Sequence, residues 1–160
     1  MNLETLNKTV IGWMREIPNP VSGTTADIWC YSDYPRTDIS APRISVTQTG
    51  GNEAQAAIGD KYGNTLGVYI YTDYDLDIWV KLGTASTSLN KAGTQLRDYI
   101  GDLVLQKIKS KRKTTLRNAD PSLDIIDLQV TSVVTQPYMD EFEFNRKTIT
   151  IRITHVLSYA

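Results

Sequence analysis

The run from Val68 to Leu82 constrains this chain more than any other feature. Its even positions, Val68, Ile70, Tyr74, Leu76, Ile78, Val80 and Leu82, are apolar, with only Thr72 polar among them. Its odd positions carry Asp73, Asp75, Asp77 and Lys81 among aromatic residues. Successive side chains of a strand point to opposite faces. The pattern therefore predicts one long strand, with room for a break near Thr72-Asp73, that buries one face and exposes the other. Such a strand needs sheet neighbours and a layer over its apolar face.

The flanking sequence supplies both. Leu3, Leu6, Val10, Trp13 and Met14 recur at helical spacing and predict a first helix over Leu3 to Glu16, ended by Pro18 and Pro20. Asp27 to Tyr31 reads as a short strand, and Arg43 to Thr49 as a half-buried one through Ile44 and Val46. Glycines 50, 51, 59, 63 and 67 mark a long flexible loop over about 50–67. After the small-residue turn Gly83 to Thr87, Ser88 reads as the N-cap of a second helix. Leu89, Ala92, Leu96, Tyr99, Ile100, Leu103, Val104 and Ile108 form its apolar face. Two strands close the chain: Ile126, Leu128, Val130 and Val134 alternate in the first, and Ile149, Ile151, Ile153, His155 and Leu157 in the second, joined by a turn at Pro137 to Asp140. Strands that neighbour one another in sequence, without βαβ alternation, predict an α+β fold. The expected architecture is a mainly antiparallel sheet with two helices packed on one face, all within a single domain spanning 1–160.

Composition narrows the function. At 160 residues with 41% hydrophobic and 22% charged residues, the chain can build one globular core. Seventeen basic residues against eighteen acidic ones give no global field for nucleic acid, so any such contact must come from a local patch. The single cysteine, Cys30, cannot form an internal disulfide and reads as a small core residue. No apolar run reaches the roughly 18 residues that span a bilayer. Met1-Asn2-Leu3-Glu4 lacks the pattern of a secretory signal, so synthesis and residence in the cytoplasm are expected.

No pattern of catalysis, cofactor binding or metal binding stands out. Asp73, Asp75 and Asp77 share one strand face but lie about 6.6 Å apart from one to the next. A metal needs oxygens converging at roughly 2–2.5 Å. The acids therefore read as a surface facing solvent, a pore or a neighbour. His155, the only histidine, falls on the apolar parity and reads as packed or interfacial. The sequence has no Cys-x-x-Cys, His-x-x-x-His, Gly-x-Ser-x-Gly or phosphate-binding glycine loop. The helix end is basic, with Lys107, Lys109, Lys111, Arg112, Lys113 and Arg117, as the helix dipole favours. Lys109, Lys111, Arg112 and Lys113 form a candidate basic interface, for an acidic neighbour or nucleic acid.

The order of elements resembles the tail terminator, or tail completion, proteins of long-tailed viruses of bacteria and archaea. The resemblance rests on the opening helix Leu3 to Met14 and the strand at Ala41-Pro42-Arg43-Ile44-Ser45-Val46. It continues through the polar loop and Leu76-Asp77-Ile78-Trp79-Val80-Lys81. The small-residue turn Gly83 to Ser88, the helix Leu89 to Lys111 and the closing strands Leu123 to Thr135 and Phe142 to Tyr159 complete it. It covers nearly the whole chain and is one of layout, shared with other neck and tail-tube proteins. It implies a structural virion protein, not an enzyme and without cofactor, forming a homo-oligomeric ring, typically a hexamer, on the last ring of the tail tube. Such a ring ends tube growth and joins the tail to the head connector or stopper protein, with DNA met only in passage through the channel. The place would be the tail–head junction of the virion, after assembly in the host cytoplasm. A second class stays open: a cellular binding module that contacts nucleic acid or an acidic partner through its basic helix end. On the ring reading, Asp73, Asp75 and Asp77 line the channel or meet the basic cluster of a neighbour. Charge reversal there is expected to leave the domain folded.

Overall fold

A computed structural model describes residues 2–24, 28–32, 42–54, 61–62, 65–120, 124–137 and 143–158, through the backbone alone at 53–54, 61–62, 65–68 and 157–158. Helix α1 spans Leu3–Arg15. The Asn2 side chain caps it by accepting from the Thr5 amide at 2.8 Å; Leu6, Val10, Trp13 and Met14 form the buried stripe that their spacing predicts, while Leu3, expected with them, lies in the first turn and is exposed. Beyond it, Trp29 donates its indole N–H to the Ile17 carbonyl at 2.9 Å and leads into β1, Cys30–Tyr31.

β2 (Arg43–Ala54), β4 (Thr65–Lys81), β7 (Ile125–Thr135) and β8 (Phe144–Ser158) form the body of the sheet, whose order is β1-β2-β4-β8-β7. β1 runs parallel to β2 and the other pairings are antiparallel, while β3 (Lys61–Tyr62) pairs with the start of β4. The fold is α+β with a mostly antiparallel sheet. β4 is continuous through Thr72 and Asp73; the irregularity lies across from it in β2, between Gln48 and Gly50.

Several boundaries differ from the sequence expectation. Gly50 to Ala54 continues β2, and 65–67 belong to β4, so the loop expected over 50–67 is largely strand where it is described; residues 55–60, 63 and 64 lie outside the described ones. Backbone pairing carries β2 onward without apolar alternation, and at Gly51 a Cβ would meet the Tyr71 carbonyl oxygen at 3.2 Å, closer than an ordinary contact. Ser88 does not cap the second helix. Ala85–Ser86 (β5) and Lys91–Ala92 (β6) pair as a small hairpin, with Asn90 at positive φ and Ser86 Oγ donating to the Pro20 carbonyl at 2.7 Å. Helix α2 starts only at Gly93 and runs to Thr115. Leu82 lies past the end of β4 and is 59% exposed. In β7 the expected alternation holds only in part: a register shift at Ile125/Asp127 puts Ile125 as well as Leu128 in the core, Val130 keeps the core parity opposite Ile151 but is 41% exposed at the sheet edge, and a second shift at Val130/Ser132 places Val134 opposite Thr148. Of Asp27 to Tyr31 only the last two residues are strand, Asp27 lying outside the described residues, as does most of the turn expected at 137–140.

One hydrophobic cluster joins both helices to the sheet. It holds Tyr74, Leu76, Ile78 and Val80 of β4, Ile149, Ile151 and Ile153 of β8, the buried stripe of α1, and Leu96, Ile100, Val104 and Ile108 of α2. Tyr74 Oη donates to Asn7 Oδ1 of α1, and Gly101 of α2 lies over Ile78 and Lys147. Past Tyr74 the core row of β4 turns polar. Thr72 is fully buried and hydrogen-bonded through Oγ1 to His155 Nε2 at 3.0 Å.

Candidate interaction surfaces

The three aspartates fall on one face of β4, opposite the core residues, as their parity dictates. β8 runs beside them and sets their surroundings. The register places Asp73 opposite Arg152, Asp75 opposite Thr150, Asp77 opposite Thr148 and Trp79 opposite Arg146. Directly opposed residues on one face are close enough to bond, and each acid does so. Arg152 grips Asp73 with two parallel bonds, Nε to Oδ1 at 2.8 Å and Nη2 to Oδ2 at 3.0 Å, and this hydrogen bonding holds the Asp73 carboxyl below its usual range. Thr150 donates to Asp75 at 2.8 Å. Asp77 takes Thr148 Oγ1 at 2.5 Å and Arg146 Nε at 3.0 Å, both on Oδ1, while its buried Oδ2 has no partner among the described residues.

Asp77 is therefore not a surface acid. It is wholly buried, and burial pushes its carboxyl pKa up against the opposing pull of Thr148 and Arg146. Arg146 also lies over the Trp79 ring at 4.7 Å, Phe144 meets that ring edge-on at 5.7 Å, and Trp79 donates to Ser45 Oγ at 2.6 Å. The far face of the sheet thus has a small ordered cluster of its own. The expectation that charge reversal spares the fold is corrected at Asp77 and kept for Asp73 and Asp75, which retain partial exposure.

The basic helix end is partly neutralised within the chain. Glu16, just past α1, takes Lys111 at 2.8 Å and Lys107 at 3.3 Å. Against the raising effect of partial burial, these two lysines hold its carboxyl low. Arg112 reaches Asp127 of β7 at 3.5 Å. Lys109 and Lys113 are exposed. Of the four predicted interface cations, Lys111 and Arg112 have partners within the chain itself.

His155 is fully buried. By geometry its Nδ1 has no hydrogen-bond partner among the described residues, and burial pushes its pKa down to about 4. Cys30 is buried with its thiol pushed up to about 12 by desolvation, in keeping with an unreactive core residue. Among the described residues no three His, Cys, Asp or Glu side chains are grouped to hold a metal ion. No helix among them is long and apolar enough to cross a membrane.

One surface escaped the sequence reading. Between α2 and β7 runs a groove of about 430 Å³, lined by Leu105, Ile108, Lys109, Arg112, Leu128, Gln129 and Val130. Beside it Val133 and Val134 are 47% and 45% exposed. The signal in the sequence was the uncharged stretch Leu128 to Thr135, rich in β-branched residues. No protein-family model matches the chain, and no curated protein matches it.

Proposed function

We propose that this chain is a structural virion protein whose subunits form a ring, six-membered by the family resemblance, at the head-proximal end of a viral tail tube. There the ring ends tube growth and joins the tail to the head connector. On this reading the chain is not an enzyme, and its partners are further copies of itself, the tail tube protein and the connector or stopper. Both helices are read as covering the same face of the sheet, since Asn7 and Gly101 meet even-numbered positions of β4.

The observation that carries the reading is the length of the sheet. The 17 residues of β4 span roughly 56 Å at about 3.3 Å each, whereas the 23 residues of α2 span roughly 35 Å. The strands outrun the helix that covers them. The far end of β2 and β4, with Gly50, Gly51 and Asn52 exposed and Tyr71 at 36%, lies beyond the hydrophobic cluster. Strand length that adds nothing to a subunit's own core is suited to a head-to-tail contact between neighbours, the kind that closes a ring. Asp73 and Asp75, paired yet partly exposed, remain the acids able to face DNA in a channel or a neighbouring subunit.

Shortening this arm tests the reading. Glu53 and Ile70 face each other in register, so residues 54–69 can be replaced by a two-residue asparagine–glycine turn. The expected result is a folded subunit by circular dichroism that gives no rings in negative-stain images, where the full chain forms them alone or on tail tubes. Rings from the shortened chain, or none from the full chain with tubes present, would refute the proposal.

A further inference from the structure

We propose that the outer edge of β7, with the groove between β7 and α2, is a docking site for an extended strand of a partner protein in which apolar residues alternate with carboxylates. β7 ends the sheet. It pairs with β8 on one side; on the other only its first residue, Ile125, is met, by a bridge to Leu116 with the Arg117 amide donating to the Ile125 carbonyl at 2.7 Å, and from Leu128 onward no strand pairs with it among the described residues. Such an edge offers main-chain donors and acceptors to an incoming strand.

Edge strands are usually guarded by charge or proline. From Leu128 to Thr135 this one carries neither, and Val130, Val133 and Val134 are 41%, 47% and 45% exposed. The run combines β propensity, apolar surface and zero charge, a combination that persists safely when something covers it. The adjoining groove continues the same apolar surface: Leu105, Ile108, Leu128 and Val130 line it.

Charge identifies the occupant. Lys109 and Arg112 also line the groove. Lys109 has no ion-pair partner among the described residues, and Arg112 is 55% exposed, with Asp127 at 3.5 Å. A strand laid along β7 sets one parity of its side chains over the groove, where a carboxylate meets these cations and a branched aliphatic residue meets the apolar lining. A second β7 is a poor candidate. Its own stretch from 128 to 135 holds no carboxylate, and its Asp127 already accepts from the Leu128 amide and the Gln129 side chain. The site lies on β7 and α2, away from the arm of β2 and β4, and does not rest on the ring reading.

The test uses the full chain and two fluorescent peptides of about ten residues, one alternating valine with glutamate and one alternating valine with lysine. By anisotropy, the glutamate peptide should bind at least about tenfold more tightly than the lysine peptide. The preference should shrink as sodium chloride rises from about 0.05 to 0.5 M. Hydrogen exchange should slow at residues 128–135. The K109E/R112E double variant, altered at two solvent-facing positions, should reverse the preference toward the lysine peptide, and Val133→Lys should weaken both. Failure of the glutamate peptide to bind, equal binding of the two peptides, or an unreversed preference would each overturn the proposal. So would self-association abolished by Val133→Lys without peptide binding, which would make a second copy the occupant.

Discussion

Asp77 gives the sharpest test of the packing on the far face of the sheet. Asp77→Asn keeps the shape and an acceptor for Thr148 but removes the negative charge that Arg146 contacts at 2.9 Å. Hydrogen bonds to charged groups contribute about 1.5–3 kcal/mol. Two effects lower that figure: removing the carboxylate relieves the desolvation that raises its pKa, and the Arg146 side chain, 21% exposed, retains water and the Trp79 ring. The expected net loss is about 1–2 kcal/mol, which for a domain of this size lowers Tm by roughly 2–8 °C. Asp77→Lys places a second cation against Arg146 in a fully buried site. It should cost more than about 4 kcal/mol and abolish folding or soluble expression. Asp75→Asn, at a partly exposed site with one threonine donor, should change stability by no more than about 1 kcal/mol. Urea unfolding of the two asparagine variants, with a double-mutant cycle of Asp77→Asn and Arg146→Met, and the soluble yield of Asp77→Lys measure these effects. Equal midpoints for Asp77→Asn and Asp75→Asn, or a cycle coupling near zero, would refute the assignment of Asp77 and Arg146 as a coupled buried pair.

Two further predictions concern the core. His155 is buried neutral with its pKa depressed from 6.5 to about 4, so its contribution to stability is complete above pH 6.5 and is lost as pH falls toward 4. The loss amounts to about 3 kcal/mol over that window. His155→Gln, which can still pair with Thr72, should flatten the pH dependence of urea stability there; identical pH profiles for the two proteins would contradict the buried neutral state. Leu96→Asp should prevent folding, because Leu96 is fully buried, whereas Leu103→Asp should be milder, because Leu103 is half-buried beside a surface hollow near Pro18. Circular dichroism of the two soluble fractions separates them, and equal severity would mean that α2 sits differently on the sheet.

What was legible in the sequence follows from what is periodic. Leu6, Val10, Trp13 and Met14 of α1, Tyr74 to Val80 on the even positions of β4 and the Ile149-Ile151-Ile153 face of β8 repeat the geometry of their own elements and reached the core as expected, whereas Leu3 and Leu82, at the ends of the same patterns, are exposed. Signals that depend on pairing did not show. Ser88 has the chemistry of a helix cap, but a two-rung hairpin held by Ser86 and Pro20 takes up the residues it would have started. The glycines after Thr49 look like loop, yet β4 supplies a partner strand, and a strand with its backbone paired tolerates them. In β7 a register shift after Val130 carries Val134 off the parity that simple alternation assigned it, while Val130 keeps its parity opposite Ile151 and is exposed because it lies at the sheet edge.

The same distinction governs the candidate site. Parity alone placed Asp73, Asp75 and Asp77 on the face away from the core. It could not reveal that Arg152, Thr150, Thr148 and Arg146 stand across from them, because the partners lie some seventy residues further along the chain and only the register brings them together. An acid row that looks like a negative surface in one dimension is, in three, a row of cross-strand pairs. Its charge is largely balanced before any partner arrives. The valines of β7 and the unmatched Lys109 beside them are the reverse case, unremarkable in the sequence and unsatisfied in the fold. Surface left uncompensated by a subunit's own structure is where an incoming partner gains most, since it buries apolar area without breaking existing bonds. By that criterion the docking site is proposed at the edge of β7 and not at the acid row.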